Sequence, residues 1–185
     1  SDGRFTDSLL ACQWNGRTVL IDGHGRYRLW LSLPEDTKIK PPNVEYLDLD
    51  TFDEARAWMA RHALGRRNLT KFQRKALVGA RYNAEKRSPY RPIKKGCQSG
   101  TLSPLQPIKT AEKIAEEEET SKRSVFRAGQ FHDALRKIGA VDLRFPDDIL
   151  ANKCKLTESQ IMSLGDLPRE EMKAAIESIK SGKSW

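Results

Sequence analysis

The stretch 19–27, which reads Val-Leu-Ile-Asp-Gly-His-Gly-Arg-Tyr, constrains the fold more than any other. Its three leading β-formers predict a short buried strand. Gly23 and Gly25 open the backbone after the strand, so that N–H groups can point toward an anion. Arg26 adds a cation that can hold a phosphate through two parallel hydrogen bonds. The stretch therefore predicts a phosphate cradle before a helix, with a tight turn whose His24 and Arg26 are merely solvated as the alternative.

The composition favours an acidic partner. The chain has 185 residues and a formal net charge of +8, so we expect nucleic acid first among its partners. Three scattered cysteines without metal-ligand spacing indicate reduced thiols and hence a cytoplasmic protein. No apolar run approaches the roughly 20 residues that cross a bilayer, so no membrane partner is expected.

The first half of the chain predicts a small sheet with helices. Asn15-Gly16 is the strongest short hairpin signal, and it joins two apolar runs. Thr51 or Asp53 is placed to cap a following helix, and Thr70 to cap the next one. The predicted elements are strands over 9–14, 17–21 and 44–49, and helices that end at Pro34, near Gly65 and near Lys86.

The segment 61–95 has the clearest charge bias. It contains twelve Arg and Lys side chains against the single acid Glu85. Such a one-sided run favours contact with phosphate, and a solvated basic face is the alternative. Within it, Arg67, Lys71 and Arg74 are predicted to contact DNA.

The segment 88–109 predicts a linker, because it carries four prolines among glycines and serines. It divides the chain into a first domain over 1–87 and a helical domain over 110–185. In the second domain, Thr110 and Ser121 are placed to cap two successive helices.

The two helices after the linker have the spacing of a helix-turn-helix. Their seam is predicted to contain four apolar residues, Ile114, Ala115, Val125 and Ala128. The residues predicted to face outward, toward a major groove, are Lys122, Arg123, Ser124 and Arg127. An ordinary helical hairpin in a small bundle is the alternative. The pattern leaves open whether 131–138 extends the second helix or forms another. Pro146 is expected to break the helical pattern.

Four of these motifs together resemble those of a known protein family. The segments 20–27, 65–70, 110–115 and 121–128 resemble, in order and spacing, the motifs of ParB-like proteins, and the likeness covers roughly Leu9 to Ile138. The resemblance implies an α+β fold: a small mixed sheet with helices, of the ParB/sulfiredoxin type, followed by an all-α domain with a helix-turn-helix.

The resemblance also implies roles for single residues. Gly23 and Arg26 match a turn that contacts a nucleoside triphosphate, Gly25 lies in that turn, and Arg66 matches a second nucleotide motif. Gly23 stands where sulfiredoxins have their catalytic cysteine, so sulfiredoxin chemistry is not expected. In the helix-turn-helix, Glu119 occupies the turn position that usually holds glycine because its φ is often positive.

Two functions follow as hypotheses. The first is a DNA-binding, ParB-like factor of a plasmid or phage that acts in partition or transcriptional regulation, with nucleotide binding compatible with it. The alternative is an NTPase or DNase of the same superfamily that interferes with plasmid conjugation, known as fertility inhibition. Asp22 and His24 would then be catalytic, and a nucleoside triphosphate and Mg²⁺ would be its cofactors. The metal ligands are left undefined, and a homodimer is left open.

Overall fold

The computed structural model describes residues 5–14, 16–34, 39–66, 68–86 and 110–182. They form three strands and eight helices, so the predicted α+β class is confirmed. The chain divides into a sheet unit, Ser1–Met59, and a helical unit, Ala60–Trp185. The elements are β1 (Leu9–Trp14), β2 (Arg17–Asp22), α1 (His24–Leu31), β3 (Val44–Tyr46), α2 (Phe52–Leu64), α3 (Lys71–Glu85), α4 (Thr110–Glu117), α5 (Lys122–Val141), α6 (Phe145–Leu150), α7 (Glu158–Asp166) and α8 (Arg169–Lys180). Among the described helices, none has the length and apolar character needed to cross a membrane.

The sheet unit is built on the predicted hairpin. β1 pairs with β2 in antiparallel fashion and with β3 in parallel, giving the order β2-β1-β3. Gly16 has a φ of 72°, the left-handed conformation that hairpin turns use. β3 ends at Tyr46, earlier than the predicted strand over 44–49. Leu47 and Leu49 instead pack on a small core that contains Cys12, Ile21 and Ala55.

The helical unit is organised around α5. This 20-residue helix packs against α3, α4, α6, α7 and α8. The side chain of Ser121 caps it by accepting a hydrogen bond from the backbone N–H of Ser124, as predicted. Residues 131–138 extend the same helix, because Phe131, Leu135 and Ile138 keep one face buried. The main core of the unit therefore runs along the C-terminal two thirds of α5.

The basic helix α3 belongs to the helical unit, which differs from the predicted first domain over 1–87. Phe72 of α3 stacks on Phe131 of α5 with ring centroids 5.6 Å apart, and Ala76 lies in the same core. The Thr70 side chain, which caps α3, also donates to the Leu150 carbonyl oxygen at 2.7 Å. The apolar face of α3 thus finds its partners after the predicted linker. The linker itself lies outside the described residues.

The break expected at Pro146 lies just before it, because α5 ends at Val141 and a new helix, α6, begins at Phe145. Pro146 lies in the first turn of α6, where a missing backbone N–H costs no helical hydrogen bond. Just before it, the Asp142 carboxylate accepts hydrogen bonds from the N–H groups of Arg144 and Phe145, at 3.0 and 3.1 Å. Phe145 and Ile149 are then fully buried in the main core.

Candidate nucleic-acid interface

α3, α4 and α5 pack together around a second core of the helical unit. Ile114 of α4 and Val125 of α5 are completely buried, and Ala128 is 2% exposed. Ala115 packs against the same cluster from its edge. The predicted seam between the two helices of the helix-turn-helix pattern is therefore confirmed. Val78 of α3 completes the cluster, so a third helix supports the pair.

The turn between α4 and α5 has a defined backbone geometry. Glu119 has a φ of 49°, a conformation that side chains other than glycine rarely adopt. The N–H of Thr120 donates to the Ala115 carbonyl oxygen at 2.8 Å, and the N–H of Glu119 donates to that of Glu116 at 3.3 Å. These two bonds form a Schellman motif, which normally places glycine where Glu119 stands. The expected positive φ at Glu119 is confirmed.

Replacing Glu119 with glycine should therefore stabilise the protein. Relief of the left-handed strain exceeds the added chain entropy of glycine, so the free energy of unfolding should rise by about 0.5–1 kcal/mol. The matched control is Glu116→Gly, the same change at an exposed position inside α4, which should lower it by about 1 kcal/mol. Urea denaturation of the three proteins gives the comparison. Loss of stability in both variants would contradict the turn geometry.

The four residues predicted to face outward lie at the start of α5 and are all exposed: Lys122, Arg123, Ser124 and Arg127. Lys122 contacts the Glu112 carboxylate, and Arg127 lies 3.4 Å from a carboxylate oxygen of Glu158. Within the described parts of the chain, Arg123 makes no ion pair. The structure thus brings these four side chains to one end of one helix, with their cationic groups at the surface.

Four of the twelve cations of the segment 61–95 pair with acids of the fold: Arg61, Arg74, Lys75 and Arg81. Glu85 pairs with Arg61, Glu158 with Lys75, and Glu118 with Arg74, at 3.0, 2.5 and 3.6 Å. The predicted DNA contact Lys71 is exposed and has no ion pair in the described residues, whereas Arg67 lies outside them. In the described residues 61–66 and 68–86, the surface is therefore less positive than the sequence indicates.

Arg81 is the extreme case, because its side chain is only 1% exposed. Its Nε lies 2.8 Å from a Glu85 oxygen, one terminal nitrogen contacts Glu117, and the other lies 3.4 Å from Glu118. The hydrogen bond from Arg81 lowers the pKa of the Glu117 carboxyl below its ordinary value. This cluster, Arg81 with Glu85, Glu117 and Glu118, ties α3 to the C-terminal end of α4. No pattern in the sequence indicates a buried arginine at this position.

The turn predicted to form a phosphate cradle lies in the sheet unit, between β2 and α1. Gly23 has a φ of 93° and caps α1, and a Cβ built there would lie 2.6 Å from Cδ2 of Leu9. His24 and Gly25 follow it as exposed residues in the first turn of α1. The turn therefore requires glycine at position 23 for both conformation and space.

Arg26 is engaged by the protein's own oxygens. One terminal nitrogen donates to the Ser8 carbonyl oxygen at 2.9 Å and lies 3.5 Å from Asp22, while the other lies 3.6 Å from Asp7. Its Nε is buried and has no hydrogen-bond partner among the described residues. Arg26 thus fastens the chain before β1 to the turn, and two carboxylates already face the cation predicted to hold phosphate.

The residues predicted to bind a nucleotide are divided between the two units. Gly23, Gly25 and Arg26 lie together in the sheet unit, and Arg66, which is exposed, lies in the helical unit. Asp22, proposed as catalytic in the enzyme alternative, pairs with Arg26. In the part of the chain that the structure describes, no three or more His, Cys, Asp or Glu side chains are grouped to hold a metal ion.

Comparison with protein-family models, with curated proteins and with solved structures finds no significant match for this chain. The α4–α5 helix pair brings its four predicted residues together at one end of α5, and all four are exposed.

Proposed function

We propose that the chain is a DNA-binding protein that inserts the start of α5 into a major groove. The observation that carries the proposal is the α4–turn–α5 arrangement. Its seam is buried at Ile114 and Val125, its turn has a left-handed residue at Glu119, and its second helix begins with exposed cations. A helix presented in this way has the shape and charge that the major groove admits. The resemblance to ParB-like proteins supports a role in partition or transcriptional regulation.

The acids beside α5 are compatible with this proposal. The run 116–119 places four glutamates next to the start of α5, where they would repel DNA phosphates. Two of these glutamates form ion pairs within the protein, since Glu117 contacts Arg81 and Glu118 contacts both Arg81 and Arg74. Internal pairing therefore reduces the repulsion that the sequence alone implies.

Binding should depend strongly on salt, and the dependence should map to the start of α5. Each phosphate contact that is lost lowers the slope of log affinity against log salt by about one. We expect the double variant Arg123→Ala/Arg127→Ala to bind more weakly and to lower the slope by about one to two. Fluorescence anisotropy with a labelled duplex between about 50 and 200 mM salt measures both quantities.

The control removes the same charge from the other end of the same helix. Arg136→Ala/Lys137→Ala deletes two exposed cations of α5, one of which pairs with Asp166 as Arg127 pairs with Glu158. This variant should keep the affinity and the slope of the unaltered protein. Equal losses in the two variants would move the DNA surface away from the start of α5. No binding by the unaltered protein at any salt concentration would refute the proposed function.

Nucleotide binding at the Gly23 turn stays a prediction of the resemblance. A phosphate at Arg26 would have to compete with Asp7 and Asp22, both within 3.6 Å of the guanidinium. The Nε of Arg26 is buried against the turn without a hydrogen-bond partner among the described residues, so a phosphate does not reach it in this conformation. The DNA-binding proposal does not depend on nucleotide binding.

A further inference from the structure

The outward face of α5 carries more than the predicted cations. Residues at positions i, i+3, i+4 and i+7 share one face of a helix. Starting from Arg123, this spacing gives a stripe of exposed residues on the side away from the buried Val125 and Ala128: Arg123, Phe126, Arg127 and Gln130. Phe126 and Gln130 were not among the predicted site residues, although the helical spacing from Arg123 identifies them.

Phe126 is the unusual member of this stripe. Its side chain is 47% exposed, although a phenylalanine on a helix usually packs into the core. Its ring meets that of Tyr82 edge-on, with centroids 5.5 Å apart and planes at 84°. The contact holds one side of the ring in place, and nearly half of the side chain stays exposed to solvent. An aromatic ring fixed in this way loses little further freedom on binding.

We propose that Phe126 contacts the C5-methyl group of a thymine in the major groove and thereby selects an A·T pair at one position of the DNA site. This inference rests on the proposed function and names what the DNA must contain. Of the base edges in the major groove, only thymine presents a methyl group, and apolar side chains including Phe recognise it. The neighbouring side chains of the stripe can hydrogen-bond to purines in the same groove. Arg pairs with guanine and Gln with adenine.

The expected size of the effect follows from the group that is contacted. Burying one methyl group contributes about as much as one methylene, which corresponds to roughly a three- to five-fold change in affinity. Uracil lacks only this methyl group and forms the same base pair. Exchange of the contacted thymine for uracil should therefore weaken binding three- to five-fold and leave the hydrogen-bonded contacts intact.

The experiment begins with the unaltered full chain and a pool of random DNA duplexes. Repeated selection should enrich a site that contains at least one invariant A·T pair. Each thymine of that site is then replaced singly by uracil, and the affinity is measured by anisotropy. We expect a loss of about three- to five-fold at one position of the site and no loss at the others.

The variants assign the effect to a side chain. Phe126→Ala should bind the thymine and uracil duplexes equally, whereas Gln130→Ala, the next exposed residue of the same stripe, should keep the difference. Circular dichroism melting checks that both variants are folded. The uracil series on the unaltered protein tests the thymine contact without any substitution in the protein.

The outcomes separate the two proposals. If no duplex is enriched and none binds, the proposed function fails. If DNA binds but no uracil exchange weakens binding, or if Phe126→Ala keeps the uracil effect, this inference fails and the DNA-binding proposal stands.

Discussion

Replacing Arg81 with alanine should lower the free energy of unfolding by about 3 kcal/mol. The guanidinium is 1% exposed and contacts three carboxylates, so its removal leaves these acids close together with only the exposed Arg61 and Arg74 beside them. Glu85 and Glu118 are themselves only 16% and 15% exposed, and water cannot fully replace the lost partner. Urea denaturation at pH 7 measures the loss.

Arg61→Ala is the matched control, because Arg61 pairs with the same Glu85 from the surface. Its side chain is 52% exposed, and exposed pairs contribute about 0–1 kcal/mol. We therefore expect a loss of less than about 1 kcal/mol in this variant. If the two variants lose the same amount, burial of the Arg81 cluster does not determine its stabilising effect.

The same cluster predicts a dependence on pH. Because Arg81 lowers the pKa of Glu117 in the folded protein, the associated stabilisation is present above the ordinary pKa of a glutamate, about 4.3. It is lost as the pH falls through the lowered pKa. The difference in stability between the unaltered protein and Arg81→Ala should therefore shrink between about pH 5 and pH 3. A difference that stays constant with pH would contradict a charged contact between Arg81 and Glu117.

Local signals in the sequence predicted much of the fold. Thr70 and Ser121 cap α3 and α5 as predicted, and each cap depends on residues within one turn of the helix. The seam at Ile114 and Val125 follows in the same way from helical spacing. Such signals need no knowledge of distant partners.

The sequence could not predict the partners of the charged residues. Arg81 counted as a surface cation because its partners Glu117 and Glu118 lie far along the chain, beyond the predicted linker. Arg26 likewise donates to the carbonyl of Ser8, in a stretch that shows no pattern of its own. A charge run indicates how many cations a segment has, whereas tertiary pairing determines which of them remain available to a ligand.

Gly79→Ala should be at least as destabilising as Arg81→Ala. A Cβ at position 79 would lie 2.0 Å from the carbonyl oxygen of Ala128 and 2.6 Å from its carbonyl carbon. Both are backbone atoms of α5, so no rotamer change can relieve the clash, and α3 must move away from α5. That movement would disturb the Phe72–Phe131 stack. Overpacking of this kind costs about 3 kcal/mol or more, which exceeds the gain of about 1 kcal/mol from the better helix former.

Gly139→Ala provides the control, because it makes the same change inside a helix of the same unit. Its nearest neighbour would be Cγ of Pro146 at 3.4 Å, an ordinary contact, so the helix propensity of alanine should raise stability by up to about 1 kcal/mol. Urea denaturation of both variants should therefore show changes of opposite sign. If Gly79→Ala matched the unaltered protein, α3 and α5 would not approach as closely as the Gly79–Ala128 contact requires. The support that α3 gives to α5 would then have to be revised.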